Sequence, residues 1–536
     1  MASAASTAVS VPANLSGATR IRMAKKCAVS PSRPTRWFLF PCGTRCRLGP
    51  RGRRWAGSAP SRWLDARLCR VSSGHRHDQR LRTRDHAGAV WGRHRGRHQT
   101  RRAARWCAVT AAAGGGSSPG DHPESEHRSA RTGRPVRTAL TGGTLLWADG
   151  RLAPGTVVFA NGVIQTIAAG EVPAGTDPTD AVRVDIVHDV TGRIVAPGFI
   201  DTHVHGGLGA NFMAADAAAG TRISRWLAAG GVTACLATTA SVEADRLHRT
   251  LAGLAALRGR LAGGLGIDLL GIHVEGPFLA PSHHGVHRQE HLRLPSAEAV
   301  DALLEAGDGA VQVVTLAPEL PDGMDTVARL ADAGVHPSLG HSGASFQQAK
   351  AAIGRGLDRA THLFNALPPI HHRAPGPVPA LLTDPRVRCE LIGDGVHVGP
   401  EMLRFAVDVA GWERLMLVSD GCDVAGLPPG RQQRWDGTEV EVTETASRTL
   451  DGTVAGSITR LGDALRTVVR DGGIALSDAL RMASTVPAES LGLADRGRLT
   501  PGRMADIVVL DAELRVHTTY VRGEIVFDRE EMGTTG

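Results

Sequence analysis

Short apolar segments alternate with Ala- and Leu-rich stretches through the middle of this chain. The apolar segments have the length and residue types of buried strands, and the stretches between them, such as 223–229, 297–305 and 346–353, are typical of helices that cover a sheet. We find eight such segments, at residues 199–203, 232–238, 268–274, 311–316, 335–339, 358–362, 388–392 and 415–419. Eight strands with intervening helices over this length predict a (β/α)8 barrel.

Strand-like pieces with turn residues between them lie on both sides of this region. They are found at residues 140–147, 156–159, 163–167 and 184–189, and again at 505–510, 516–521 and 524–527. The same pattern of short strands and turns on both sides predicts one small β-sandwich domain that is built from both ends of the ordered chain, with the barrel inserted in it. We place its two parts at residues 136–197 and 496–536, and the catalytic barrel at 198–495.

The N-terminal quarter of the chain differs sharply in charge from the rest. Through Arg134 there are 27 basic and 6 acidic residues, whereas the remainder has 34 basic and 47 acidic residues. Without any sustained apolar period this segment cannot bury a core, and we predict that residues 1–135 form a disordered Arg-rich extension. A nucleic-acid-binding arm and an organelle transit peptide are two interpretations. We favour a third, a start codon assigned too early, because lysine occurs only at positions 25, 26 and 350, as in a GC-rich coding sequence.

Two absences bear on location. The basic N-terminal tail, residues 1–135, has no apolar run long enough for a membrane span or a signal-peptide core. The three cysteines of the body, Cys235, Cys389 and Cys422, have neither metal-binding nor disulfide spacing. We therefore expect a cytoplasmic protein without a membrane partner.

Two histidines separated by one residue close the first predicted barrel strand, in Phe199-Ile-Asp-Thr-His203-Val-His205. Side chains two apart on a strand face the same way, so both imidazoles can reach one point, as a divalent metal requires. Two unrelated polar residues at a strand end would give the same pattern. The other strand ends decide between these interpretations.

Further polar residues follow four other predicted strands. Glu275 ends the third, and His341, His362 and Asp420 come at the ends of the fifth, sixth and eighth. The carboxyl ends of barrel strands share one face, which is where active sites of this fold lie. Together with the histidine pair, these residues supply enough ligands for one or two divalent ions.

The motifs in combination resemble the amidohydrolase superfamily and, within it, the family of N-acetylglucosamine-6-phosphate deacetylases. They are P-G-F-I-D-T-H-V-H, H-V-E-G-P-F, L-G-H-S, T-H-L-F-N-A, D-G-V-H and S-D, and the resemblance extends over about residues 137–530. It implies that Glu275, His341 and His362 are the principal metal ligands and that His203 and His205 hold a second metal, as in some members. It also implies that Asp420 is the proton shuttle.

This resemblance implies metal-dependent hydrolysis of the N-acetyl group of N-acetylglucosamine-6-phosphate, a step in amino sugar catabolism. We expect one or two divalent ions per chain, zinc first, with iron, manganese or cobalt as alternatives. Related enzymes bridge two metals with a carboxylated lysine, but the only lysine of the body, Lys350, follows His341 in a predicted helix, so Glu275 is the expected bridge. Two other functions stay open: deacetylation of another N-acyl sugar such as N-acetylgalactosamine-6-phosphate, and a nucleic-acid-associated protein acting through the basic tail.

The same resemblance implies the residues that bind the substrate. His287 is expected to polarise the acetamide carbonyl, and Arg373 to reach the 6-phosphate from an adjacent subunit, which predicts a homodimer. The full set is Val286, His287, Asn365, Ala366, Arg373, Asp394, His397, Val454, Ala455 and Gly456. The chain departs from the family pattern after Asp420, where Asp423 adds a carboxylate that could touch the metal or the sugar, or cap a turn. We favour the turn.

Overall fold

A computed structural model describes residues 135–170, 184–261 and 266–533. The prediction of a disordered Arg-rich extension falls on residues 1–134, outside the described part of the chain, apart from residue 135 at its end.

The chain begins its described part with five strands. They are β1 (Thr138–Leu146), β2 (Leu152–Ala160), β3 (Val163–Ala169), β4 (Ile186–Asp189) and β5 (Ile194–Pro197). Strands β1 to β3 form an antiparallel meander, whereas β4 and β5 run parallel to successive halves of β1. Asn161 and Gly162 both have positive φ between β2 and β3, the conformation that a two-residue hairpin turn requires.

Eight parallel strands form the barrel that the alternation predicts, which confirms the fold class. The first, β6 (Phe199–Val204), leads into a small hairpin of β7 (Gly206–Gly207) and β8 (Ala210–Asn211). The other seven are β9 (Val232–Thr238), β10 (Asp268–Glu275), β11 (Val311–Leu316), β12 (His336–Leu339), β13 (Arg359–Ala360), β14 (Arg388–Ile392) and β15 (Leu415–Val418). They pair in chain order, and a parallel bridge between Val204 and Gly421 brings the last strand back to the first, so that the barrel is nearly closed.

Helices cover the outside of the barrel. They are α1 (Ala217–Ala228), α2 (Ala244–Leu261), α3 (Ala297–Ala306), α4 (Gly323–Asp332), α5 (Phe346–Gly354), α6 (Val378–Thr383), α7 (Pro400–Ala410), α8 (Leu461–Arg470), α9 (Leu476–Ala483) and α10 (Thr485–Ser490), whereas α11 (Arg529–Gly533) follows the last strand of the chain. Local sequence sets several boundaries: α5 begins with a capping box between Ser345 and Gln348. Among the described helices, none combines the length and the apolar character needed to cross a membrane.

A three-stranded antiparallel sheet that the sequence analysis did not predict lies between β15 and α8. Its strands are β16 (Gly430–Gln433), β17 (Glu439–Val442) and β18 (Ser447–Thr449). Val440 and Val442 of β17 pack on Cys422, Val424 and Ala455, which follow β15 and β18. This small core holds the sheet against the carboxyl end of the barrel.

Three C-terminal strands complete the terminal sheet: β19 (Ile507–Leu510), β20 (Val516–Val521) and β21 (Glu524–Asp528). Strand β19 pairs antiparallel with β5, from Ile507 opposite Pro197 to Leu510 opposite Ile194. Strands from both ends therefore share one eight-stranded sheet with its own apolar core, as a separate small domain requires. The residue boundaries assigned to the domains stay predictions.

Candidate metal centre and active-site cavity

Six polar side chains meet at the carboxyl-terminal rim of the barrel. His203 lies within β6 and His205 just after it, Glu275 ends β10, and the other three each lie two residues beyond a strand. Those three are His341, His362 and Asp420, after β12, β13 and β15. All six are at most 9% exposed. The sequence brings them together because the carboxyl ends of parallel barrel strands face the same rim.

The backbone helps to aim three of these side chains. His341, His362 and Asp420 have φ values of 48°, 28° and 47°. Residues other than glycine rarely adopt positive φ, and such strain tends to accumulate at functional sites. Here a positive φ occurs just after three different strands, and all three residues are at the barrel mouth.

Glu275, His341 and His362 form one group of potential metal ligands. Oε1 of Glu275 lies 3.2 Å from Nε2 of His341 and 3.0 Å from Nε2 of His362, and the two Nε2 atoms are 3.0 Å apart. Nδ1 of His341 lies 2.8 Å from the backbone oxygen of His283, so this ring nitrogen donates and Nε2 of a neutral ring presents a lone pair. Lone pairs this close together suit a cation between them.

His203, His205 and Asp420 form a second group beside the first. Their ring Nε2 atoms are 3.3 Å apart and lie 3.5 and 3.4 Å from Oδ1 of Asp420. Oε2 of Glu275 is 3.2 Å from Nε2 of His205. The two oxygens of Glu275 thus face both groups, whereas the Lys350 ammonium pairs with Asp384 at 3.0 Å.

The electrostatics of the two groups favour a divalent cation. Burial disfavours a charged His203, but Asp420 and Glu275 raise the pKa of His203 well above its ordinary value. Burial also disfavours ionised carboxylates, yet the neighbouring His203 ring holds the pKa of Asp420 and of Glu275 far below their ordinary values. Without a metal, a protonated His203 thus lies between two ionised carboxylates; a divalent cation would take the place of that proton, because metal ligands bind in their deprotonated form.

A third group lies beneath the rim. Oε2 of Glu390, in β14, is 2.9 Å from Nδ1 of His203, and both side chains are completely buried. His273 is the third member: its Nδ1 lies 3.2 Å from the backbone oxygen of Thr202, and its Nε2 lies 2.7 Å from the hydroxyl of Thr315. Burial lowers the pKa of His273 to about 3. The sequence analysis missed Glu390 and His273; an acidic residue inside the apolar strand Arg388–Ile392 was the available signal.

His287 faces the ligand groups from the loop after β10. Its Nδ1 accepts the backbone N–H of Ser241 at 3.2 Å, so Nε2 carries the proton, 3.2 Å from Oε2 of Glu275. Burial is the main reason that the pKa of His287 is lowered, to about 4. The ring is therefore a neutral N–H donor at the metal-binding rim, the form in which a histidine can polarise a carbonyl.

A cavity of about 480 Å³ opens over these groups. Most of the residues predicted to bind substrate or metal line it: His205, Glu275, Val286, His287, His341, His362, Asn365, Ala366, His397, Asp420, Val454 and Gly456. Four others do not. His203 is fully buried, and Ala455 belongs to the small core under β17. Asp394 accepts the Nδ1–H of His397 at 2.7 Å and so holds the ring of a residue that does line the cavity. Arg373 is exposed.

Several cavity residues were not predicted. Arg246, Arg288, Arg434 and Trp435 form part of the wall, the last two in the turn between β16 and β17. Asp423 explains the position of Arg434 and Trp435, since its buried carboxylate accepts the backbone N–H of Trp435 at 2.7 Å. Asp423 therefore holds a turn, and the departure from the family pattern at this residue was the signal that could have located the turn.

Comparison with known proteins agrees with this architecture. The N-acetylgalactosamine-6-phosphate deacetylase of Escherichia coli O157:H7 is 34% identical over 382 residues, 71% of this chain and 97% of that one. The N-acetylglucosamine-6-phosphate deacetylase of Bos taurus is 38% identical over 360 residues, 65% of this chain and 87% of that one. The crystal structure of N-acetyl-D-glucosamine-6-phosphate deacetylase from Mycobacterium smegmatis is 35% identical with a TM-score of 0.66, covering 73% of this chain and 100% of that one. The model of the amidohydrolase family matches residues 194–526, and the chain belongs to this family.

Proposed function

We propose that this chain is a metal-dependent deacetylase that hydrolyses N-acetylglucosamine-6-phosphate to glucosamine-6-phosphate and acetate. The observation that carries the proposal is the position of Glu275, whose two oxygens face both ligand groups at the floor of a cavity of about 480 Å³. Two relatives of that name, from Bos taurus at 38% identity and from Mycobacterium smegmatis at 35% identity, support the same substrate.

The residues present fit a resident metal. Glu275, His341 and His362 would hold one ion, and His203, His205 and Asp420 a second. A bound ion of the zinc class supplies a water whose pKa is lowered to about 7, and therefore a nucleophile at neutral pH. Nitrogen and carboxylate ligands suit zinc, and we propose zinc ahead of iron, manganese or cobalt.

Asp420 and His287 would move and stabilise charge during the reaction. The lowered pKa of Asp420 keeps it ionised, so it can accept a proton from the attacking water and later deliver that proton to the leaving amine. The neutral Nε2–H of His287 can donate to the acetamide oxygen as negative charge develops there.

The sugar would lie against the side chains and backbone of the loops that follow β13 and β14. Asn365 and Ala366 line the cavity there. His397 presents Nε2 because Asp394 accepts its Nδ1–H, and Ser457 in turn donates to the Asp394 carboxylate. Val286, Val454 and Gly456 give the cavity apolar surface. A wall that combines histidines, arginines and an amide with these apolar residues suits a polar, anionic substrate such as a sugar phosphate.

We also propose that the enzyme is a homodimer in which Arg373 serves the partner's active site. Arg373 is exposed and does not line the cavity of its own chain. The residues that precede it in the chain, Pro368 to Ile370, help to line an apolar groove of about 470 Å³ together with Phe364, Met402 and Phe405. Ile370, Met402 and Phe405 are exposed large apolar side chains. A second copy of the chain would cover this apolar surface and bring a guanidinium to the phosphate.

A cytoplasmic location is consistent with the cysteines. Within the described residues Cys235, Cys389 and Cys422 are all free and buried, and burial raises the pKa of Cys389 and Cys422 to about 12. Protonated, buried thiols of this kind suit a reducing compartment.

The decisive experiment measures acetate release by the purified enzyme. We expect turnover of N-acetylglucosamine-6-phosphate that is lost after chelation and restored by zinc. N-acetylgalactosamine-6-phosphate is the matched comparison, because the Escherichia coli relative carries the name of that activity. A kcat/KM for the galactosamine isomer above that for the glucosamine substrate would replace the proposed substrate, and no acetate from either would refute the proposed function.

A further inference from the structure

The turn between β16 and β17 is built into the wall of the active-site cavity. Asp423 holds it by two contacts, accepting the backbone N–H of Trp435 at 2.7 Å and lying 3.4 Å from Nε of Arg434. Two cavity arginines hold it from outside: the guanidinium of Arg246 lies 5.0 Å from the Trp435 ring centre, and Arg288 donates to the backbone oxygen of Asp436 at 2.8 Å. The turn is therefore positioned before any substrate arrives.

Arg434 is the unusual residue of this turn. Its side chain is only 9% exposed, yet of its five N–H donors only Nε has a partner in the described part of the chain. Nη1 and Nη2 are not among the fully buried side-chain nitrogens that lack a partner, so these donors face the cavity, where water or a ligand can accept hydrogen bonds from them. Arg434 lines the same cavity as Glu275 and Asp420, so such a ligand would share the cavity with the metal centre.

We propose that Arg434 is a substrate-binding residue that donates from Nη1 and Nη2 to an acceptor oxygen of the sugar phosphate bound in the same chain. This inference rests on the proposed function. The paired donors of a guanidinium match a phosphate, and they also fit a pair of ring hydroxyls. Asp423 is then a positioning residue, since it fixes the guanidinium plane through Nε and the turn through Trp435.

The test compares Arg434→Gln with Arg431→Gln, an exposed arginine of the same sheet in β16. Loss of a charge-assisted hydrogen bond to substrate should raise the KM for N-acetylglucosamine-6-phosphate about tenfold or more, with kcat within about threefold of wild type. Arg431→Gln should match wild type. Metal content and melting temperature of all variants are measured alongside. If Arg434→Gln fails to fold, Arg434→Lys carries the test, because it keeps the charge beside Asp423 but loses the fork, and its KM should still rise at least threefold.

Assays with unphosphorylated N-acetylglucosamine distinguish the two candidate acceptors, the phosphate and the ring hydroxyls. If Arg434 binds the phosphate, the substitution should leave kinetics on this substrate unchanged; if it binds ring hydroxyls, both substrates should lose equally. Either result supports the inference. A KM within twofold of wild type, or a rise shared by Arg431→Gln, overturns it. A wild-type enzyme that releases no acetate would instead refute the proposed function, and this inference with it.

Discussion

Glu390 and His203 form a buried pair beneath the metal-binding rim, with Oε2 of the carboxylate 2.9 Å from Nδ1 of the ring. Burial favours the neutral carboxyl, but His203 lowers the pKa of Glu390, so the group is ionised and can only accept. Nδ1 of His203 must therefore carry the proton. The consequence is that Nε2 of His203 is left to face His205 and Asp420 as a ligand.

Glu390→Gln should weaken metal binding at the His203 group. The amide can donate to Nδ1, which would move the ring proton to Nε2 and block that ligand atom; changes behind a ligand histidine typically cost about 10–100-fold in metal affinity. Titration with zinc should show one weakened equivalent and one unchanged. Glu401→Gln, on the outer helix α7, is the control. Equal affinity in Glu390→Gln and wild type would mean that the carboxylate does not set the tautomer.

The joint substitution of His203 and His205 by Asn should remove one ion and keep the other. The group of Glu275, His341 and His362 retains all its ligand atoms within 4.8 Å of one another. Elemental analysis of protein purified without chelators should find more than one equivalent in the wild type and one fewer in the variant. Loss of all metal would make the histidine pair the principal site.

Asp420→Asn should leave folding intact and reduce turnover by about 10²–10⁴-fold, because an amide cannot accept the proton from the attacking water. Single-turnover acetate release with metal content measured on the same sample checks this. Asp423→Asn is the matched comparison: its carboxylate binds the Trp435 amide, so its kcat should change far less. Near-normal turnover in Asp420→Asn would exclude Asp420 as the proton shuttle.

Mixing Asp420→Asn with Arg373→Ala tests whether the site is shared between subunits. Each variant alone should be nearly inactive, the second mainly through a raised KM. Co-refolding equal amounts should give about half mixed dimers, each with one site that has both residues, and so roughly a quarter of wild-type activity. A mixture no more active than the separate variants would place Arg373 outside the partner's site.

Stability should respond to pH through Asp506, which lies between the terminal sheet and the barrel. Burial is the main reason that the pKa of Asp506 is raised to about 6. The folded protein therefore binds this proton more tightly than the unfolded chain, and the stability it confers, full below about pH 4, is lost as pH rises through about 6. The free energy of unfolding of Asp506→Asn, measured relative to that of the wild type, should therefore rise by roughly 2–3 kcal/mol between pH 4 and pH 7. Urea unfolding of both proteins at each pH measures this difference, and a constant difference would contradict it.

The barrel and most ligand groups could be predicted because their signals are local. Buried parallel strands read as apolar runs, and a ligand at a strand end, such as Glu275 or His341, follows its run directly. Residues whose position depends on long-range contacts could not be predicted. Arg434 enters the cavity only because Asp423, eleven positions earlier, binds the next residue's amide. The strand signal was nevertheless present in β17, where buried Val440 and Val442 alternate with exposed Glu439 and Glu441.

The pairing of β5 with β19 joins two strands that are far apart in the chain. Strand β5 ends one residue before β6, which carries His203, but its neighbour β19 is synthesised about 300 residues later. A chain leaves the ribosome from its N-terminus, so the strand that leads into the metal centre waits for its partner until translation is almost complete. A polypeptide that ends before β19 would carry every ligand histidine but lack the antiparallel partner of β5, the strand that leads into the first barrel strand. We therefore expect such a polypeptide to hold the metal-binding rim less firmly than the full chain does.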